Sequence, residues 1–257
     1  MTTISHLRVV HKGYKEEFDA ANVIFLDPTT TSTGVKHVPL MYQLKSSGQK
    51  VRLRIQLPPM LNKFGCQIYD KGGLNKVSAY LDLEIKQEYM KLLRQLNKFD
   101  EIIERNLHRM CRAWLGCSTK PSKAALDDML FKLVRVSVTR DRNDEPYPPK
   151  IRIKVPANYS NDNPNNTVAV ETPIAVFEDR KIIPRQDSKG VRDVSYGRKR
   201  FALLMAQNTV CSVAADLDAL WFTPGNKISP SIRAVQISVE KKAQTQRYEE
   251  ETVFMLD

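Results

Sequence analysis

Two early stretches alternate strictly between apolar and polar positions. In residues 50–57, Val51, Leu53, Ile55 and Leu57 share one face while Lys50, Arg52, Arg54 and Gln56 share the other, and Pro58-Pro59 ends the run. In residues 76–85, after the turn at Lys71-Gly72-Gly73, Val77, Ala79, Leu81, Leu83 and Ile85 face inward. A period of two marks half-buried strands. The β-branched and aromatic residues 35–44 predict an earlier strand, and residues 23–26 a short one before the turn-rich run 27–34. The period then changes. Between 86 and 115, apolar residues from Tyr89 through Leu92, Leu96, Phe99, Ile103 and Leu107 to Trp114 fall at steps of three and four, without Gly or Pro. This spacing predicts one long amphipathic helix, ended at Gly116. Ser122 is placed to cap a second, short helix through Leu130.

Strand signals return at 131–139 and at 150–155, where Ile151, Ile153 and Val155 alternate with Lys150, Arg152 and Lys154. A Pro/Asn-rich loop is expected at 156–166, short strands at 167–170 and 174–177, and a last strand at 231–239. Between them lie apolar segments at 201–205, 209–214 and 219–222 and a turn at Pro224-Gly225-Asn226. No repeat or low-complexity linker divides the chain. The expectation is a single domain over residues 1–247, with an insertion near 156–200 and a short tail at 248–257. Its fold class is mainly β with one long central helix. Strands, helix, then strands is the order of an elaborated OB-fold-like antiparallel barrel, whose helix is expected between the third and fourth strands; a β-sandwich with a packed helix is the alternative.

Composition adds a direction. The 257 residues carry 40 Lys+Arg against 29 Asp+Glu, a formal charge of +11, and the last ten residues alone hold four acids and no base. The remaining 247 residues thus carry +15. A basic body favours anionic partners, nucleic acid before others. Ordinary solubilising charge is the bland reading. No apolar run reaches the ~18 residues of a membrane span, no secretory leader is legible at the N-terminus, and the four cysteines have no zinc-pair spacing. The expectation is an intracellular protein with reduced thiols, no metal, no cofactor and no membrane association.

Enzyme signatures are missing: there is no phosphate loop, dinucleotide fingerprint, nucleophile elbow or zinc-protease motif. Asp216-Leu217-Asp218 would place two carboxylates on one strand face, a possible Mg²⁺ pair for phosphoryl transfer. A turn between strands is the preferred reading there, because no third acid or glycine-rich loop accompanies it. The basic strand faces are better evidence. Lys50, Arg52 and Arg54, and Lys150, Arg152 and Lys154, set like charges side by side, a repulsion that a polyanion would relieve; edge protection is the competing explanation. A third cluster, Arg192 with Tyr196, Arg198, Lys199 and Arg200, combines cations with an aromatic and Gly197, and competes with readings as an import signal or a solvated loop. Tyr80 and Tyr147 are stacking candidates, with Tyr159 in the loop beyond them. Trp114 reads as core, and Trp221 leans the same way.

Four segments in order resemble the single-stranded-DNA-binding proteins of large nucleocytoplasmic DNA viruses. They are Leu57-Pro58-Pro59 with Lys63-Phe64-Gly65, leading to Tyr80-Leu81-Asp82-Leu83; the long helix; Tyr147-Pro148-Pro149-Lys150-Ile151-Arg152-Ile153-Lys154; and Trp221-Phe222 with Gly225-Asn226-Lys227-Ile228. The likeness spans roughly residues 35–240. It implies an OB-type core that coats single-stranded DNA during replication, in the host-cell replication compartment, and it transfers no site residue. The expected function is therefore a non-catalytic binder of single-stranded DNA, or RNA, with low sequence specificity in replication, repair or recombination. A genome-packaging coat protein is the alternative. Expected partners are the strand itself, further copies of the chain along it, and a replication protein. The last would be reached through the tail, where Glu249, Glu250 and Glu251 precede Val253-Phe254-Met255-Leu256.

Overall fold

Five strands close into a ring. In a computed structural model, residues 6–11, 14–71, 76–116, 118–137, 144–159, 170–172, 174–178, 181–182, 196–223 and 227–241 are described. The ring strands are β1 (Met60–Lys71), β2 (Lys76–Glu84), β3 (Lys150–Val155), β4 (Thr209–Thr223) and β5 (Lys227–Lys241). β1 pairs antiparallel with β2, and β2 with β3. β3 meets β5 in parallel, β5 runs antiparallel to β4, and β4 returns to β1. The result is a closed, OB-like antiparallel barrel with one parallel seam, as the expected fold class required.

The strands are long because they bend. β4 shifts register against β5 at Val210/Cys211, Ala214/Ala215 and Leu217/Ala219. Each bulge turns the strand. Its other edge then serves in succession β1, the strand Arg54–Gln56 and the strand Lys36–Gln43. The inward positions Leu81, Leu83, Ile151, Ile153, Val213 and Ile237 are completely buried.

The long helix is α1 (Met90–Leu115), entered through a 3-10 turn at Gln87–Tyr89 and ended by Gly116 at φ 71°. That left-handed stop donates the Gly116 N–H to the Arg112 carbonyl. Its buried stripe, Leu92, Leu96, Phe99, Ile103, Leu107 and Trp114, meets the N-terminal segment. Phe18 lies 6.0 Å from Phe99, and Phe25 lies 5.7 Å from Trp114. The Gln95 side chain accepts the Leu7 N–H and donates to the Phe18 carbonyl. A second helix, α2 (Lys123–Met129), is capped by Ser122 Oγ accepting from the Ala125 N–H at 3.2 Å. A third, α3, spans Arg198–Leu204.

Three expectations are corrected. α1 follows the second ring strand, whereas the sequence count placed it after the third. The segments at 35–44 and 50–57 are strands, but they flank the ring instead of belonging to it, and β1 shows no alternation. Its register slips between Asn62 and Cys66, at Gly65. Gly65 has φ 72° and sits so close to the 205–207 backbone that an added Cβ would lie 3.2 Å from the Met205 carbonyl oxygen. A bulged strand has no simple period to read. The two apolar segments at 209–214 and 219–222 are likewise one continuous strand.

Candidate nucleic-acid interface

β1, β2 and β3 present one outer face. The register sets Lys150 opposite Glu84, Arg152 opposite Asp82 and Lys154 opposite Tyr80. Asp82 points outward, yet its side chain is fully covered by the cations above it. Arg152 grips both carboxylate oxygens at 2.7 Å, and Lys150 Nζ stands 3.2 Å away. Burial pushes the Asp82 pKa up, but the Arg152 hydrogen bonds and the Arg152 and Lys150 charges outweigh it and hold the group below its ordinary value. The same contact raises the Arg152 pKa. Arg135, on the neighbouring strand Val134–Arg135, has its pKa lowered by desolvation and by the Arg152 charge.

Aromatic rings stand among these cations. Arg152 lies over Tyr80 at 5.3 Å, Lys150 over Phe64 at 5.0 Å and Lys63 over Tyr147 at 5.3 Å. Tyr69 packs at 6.2 Å from Tyr80. Phe64 and Tyr69 are 40% and 49% exposed, so part of each side chain is within reach of a ligand. The face continues into a groove of about 460 Å³ whose walls include Tyr80, Arg135, Arg152, Lys154, Trp221 and Arg233. Trp221 is half-buried and stacked 4.7 Å from His37, so it lines the groove instead of filling the core.

An ion-pair chain leads from this groove to the other basic strand. Arg233 meets Asp218 at 3.2 Å, Asp218 meets Arg52 at 3.6 Å, Arg52 meets Asp216 at 3.0 Å, and Arg54 binds Asp216 at 2.7 Å. Lys50 is exposed at the end of the strand Lys50–Arg52. Two premises change here. Asp216 and Asp218 sit in the middle of β4, not in a turn, and both are engaged by arginines. Among the described residues, no group of three or more His, Cys, Asp or Glu is placed to hold a metal ion. Arg52, Arg54, Lys150 and Arg152, for their part, are compensated in the fold by Asp216 and Asp82, so mutual repulsion is not what marks these four as a site.

The geometry can be set beside known proteins. No protein-family model matches the sequence, and no curated protein sequence matches it. Solved structures with some likeness include the single-stranded DNA-binding protein of bacteriophage Enc34 in complex with ssDNA, at 10% identity and a TM-score of 0.38, over 86% of this chain and 98% of that one. A second structure of the single-stranded DNA-binding protein from bacteriophage Enc34 gives 9% and 0.36, over 89% and 97%. Another is gp2.5, a single-stranded DNA-binding protein encoded by bacteriophage T7, at 11% and 0.41, over 80% and 100%. These proteins come from bacteriophages, not from large nucleocytoplasmic viruses. At such scores the likenesses assign no activity to this chain.

Of the residues singled out in the sequence, Tyr80, Tyr147, Lys150, Arg152 and Lys154 come together on one face, and Arg52 and Arg54 join it through shared acids. Arg192 lies outside the described residues, as does the tail at 248–257. Tyr196 belongs to a two-residue strand, while Arg198, Lys199 and Arg200 open α3, so the described part of this cluster, residues 196–200, is regular structure instead of a loop. The sequence reading missed Lys63, Phe64, Tyr69, Arg135, Trp221 and Arg233 as site residues. Phe64 and Tyr69 lie on the bulged strand, whose facing no periodicity could reveal. The pairing of Arg135 and Arg233 with this face depends on which strands become neighbours. No helix among the described residues is long and apolar enough to cross a membrane.

Proposed function

We propose that the protein binds single-stranded nucleic acid, DNA in the first place, across the outer face of β1, β2 and β3 and the adjoining groove, without catalysing a reaction. One observation carries this reading: cations sit on ring faces at neighbouring positions, Lys63 with Tyr147, Lys150 with Phe64 and Arg152 with Tyr80. Cations track the phosphate backbone, and aromatic faces stack unpaired bases whatever their identity. A duplex offers its phosphates but hides its base faces, so exposed aromatics such as Phe64 and Tyr69 favour the single strand. The sequence resemblance to the binding proteins of large nucleocytoplasmic viruses extends the reading to DNA replication, with successive copies of residues 1–247 coating one strand.

Fluorescence anisotropy of labelled oligo-dT, titrated at several salt concentrations, tests the proposal. If six of the cations touch phosphates, log K falls against log salt with a slope of about −4, at roughly −0.7 per contact on a single strand. Salt-independent affinity, or tighter binding to duplex than to single strand, overturns it.

A further inference from the structure

A cavity on the outer face sets a carboxylate among aromatic walls. Phe64, Glu84, Ser137, Tyr147, Pro148 and Lys150 enclose a cavity of about 270 Å³. This is just below the roughly 300 Å³ at which drug-sized pockets begin, so it suits a single heterocycle. Two of its walls are aromatic, Phe64 and Tyr147, each with a lysine ammonium over its ring. Its polar lining is Ser137, Lys150 and Glu84, the last with a side chain only 8% exposed and with Oε1 3.5 Å from Lys63 Nζ. A site made for indiscriminate stacking has no need of a carboxylate, which repels phosphate and accepts hydrogen bonds without donating any.

We infer that this cavity reads guanine: Glu84 accepts the two adjacent donors of that base, N1–H and the N2 amine, while Phe64 and Tyr147 hold the ring. Guanine is the one DNA base with two neighbouring donors on its pairing edge, matching the two oxygens of a carboxylate. Its O6 acceptor lies beside those donors, where the Lys63 ammonium near Glu84 can serve it. Thymine offers a single N3–H between two carbonyls, both repelled by a carboxylate. Cytosine and adenine offer one amine next to a ring-nitrogen acceptor. The inference rests on the proposed single-strand binding and adds to it a position at which sequence matters.

The test uses the full chain and anisotropy competition. Competitors are oligo-dT strands carrying isolated dG, dI, dA or dC residues separated by thymines, so that no guanine quadruplex forms. A bidentate carboxylate–guanine pair predicts that dG-bearing strands compete about tenfold better than oligo-dT. Deoxyinosine, which keeps N1–H and lacks the N2 amine, should fall between the two. Glu84→Gln should bring the ratio of dG-strand to oligo-dT affinity to about one, whatever it does to oligo-dT affinity itself, with an unchanged melting temperature as the check that it folds. Equal competition by all strands overturns the guanine assignment and leaves single-strand binding standing. The same holds if Glu84→Gln weakens oligo-dT and dG strands alike. Failure to bind any single strand overturns both readings. Guanosine monophosphate provides a last arm: competition as strong as that of the dG strand would mean a free nucleotide and not a strand-borne base, against the inference.

Discussion

Single carboxylates divide by what covers them. Asp82 lies beneath cations and is held below the usual carboxylate range, so its contribution to stability is present at neutral pH and is lost as pH falls through its folded pKa. Asp100, buried on α1, behaves in the opposite way. Burial pushes its pKa up to about 6, against hydrogen bonds from the Leu133 and Val134 N–H groups. The folded chain therefore keeps a proton that the unfolded chain, at about pH 4, gives up. That contribution is full below the unfolded pKa and disappears as pH rises through the folded one. Asp100→Asn retains a carbonyl for the Leu133 N–H and cannot ionise. The expected outcome is a wild-type stability that declines relative to Asp100→Asn by roughly 2–3 kcal/mol between pH 4 and 6 and then stays level, on the scale of 1.4 kcal/mol per pKa unit. Thermal melts of the two proteins across that range measure it. None of this was visible in the sequence, where Asp100 is one more polar residue between Phe99 and Glu101.

Elements differed in how openly they declared themselves. α1 was legible from its spacing because a helix with one buried stripe needs apolar residues at steps of three and four, whatever it packs on. The stop at Gly116 and the Ser122 cap were legible too, since both follow from local backbone chemistry. What covers the stripe was not legible. Phe99 is completely buried between Phe18, at 6.0 Å, and Phe25, at 6.4 Å, both more than seventy positions away in the chain. Phe99→Ala should cost about 3–5 kcal/mol, as large-to-small changes in tight cores do. The exposed neighbour Asn97→Ala should stay within about 0.5 kcal/mol. Urea unfolding at constant m-value separates the two outcomes. β1 is the counter-case. Its bulge at Gly65 allows close approach to the 205–207 backbone, and the same bulge removes the alternation that would have declared a strand.

For the molecule as a whole, charge is a sum and its placement is a fold property. The +11 total is concentrated in a body that turns part of it onto one face. There, buried acids fix some cations as structure and others remain at the rim. Lys154 is exposed, lines the groove and stands opposite Tyr80. Lys154→Gln should weaken oligo-dT binding at low salt and flatten the salt slope by about 0.7, the share of one phosphate contact on a single strand. The exposed Lys123, beside α1 and away from this face, supplies the control: Lys123→Gln should leave the slope unchanged. Parallel anisotropy titrations of the two variants decide the matter.

The sequence by itself determined the period of the strands at 50–57, 76–85 and 150–155, the length and end of α1 and the basic excess, because each follows from residues near one another in the chain. Only tertiary structure decided which strands close the ring, that Asp82 and Asp216 neutralise the cations laid over them, and that Phe64, Tyr147 and Glu84 wall one cavity. These depend on register between distant segments. A slip of one residue reverses a strand's faces, and the bulges in β1 and β4 introduce such slips where sequence alternation gives no sign of them.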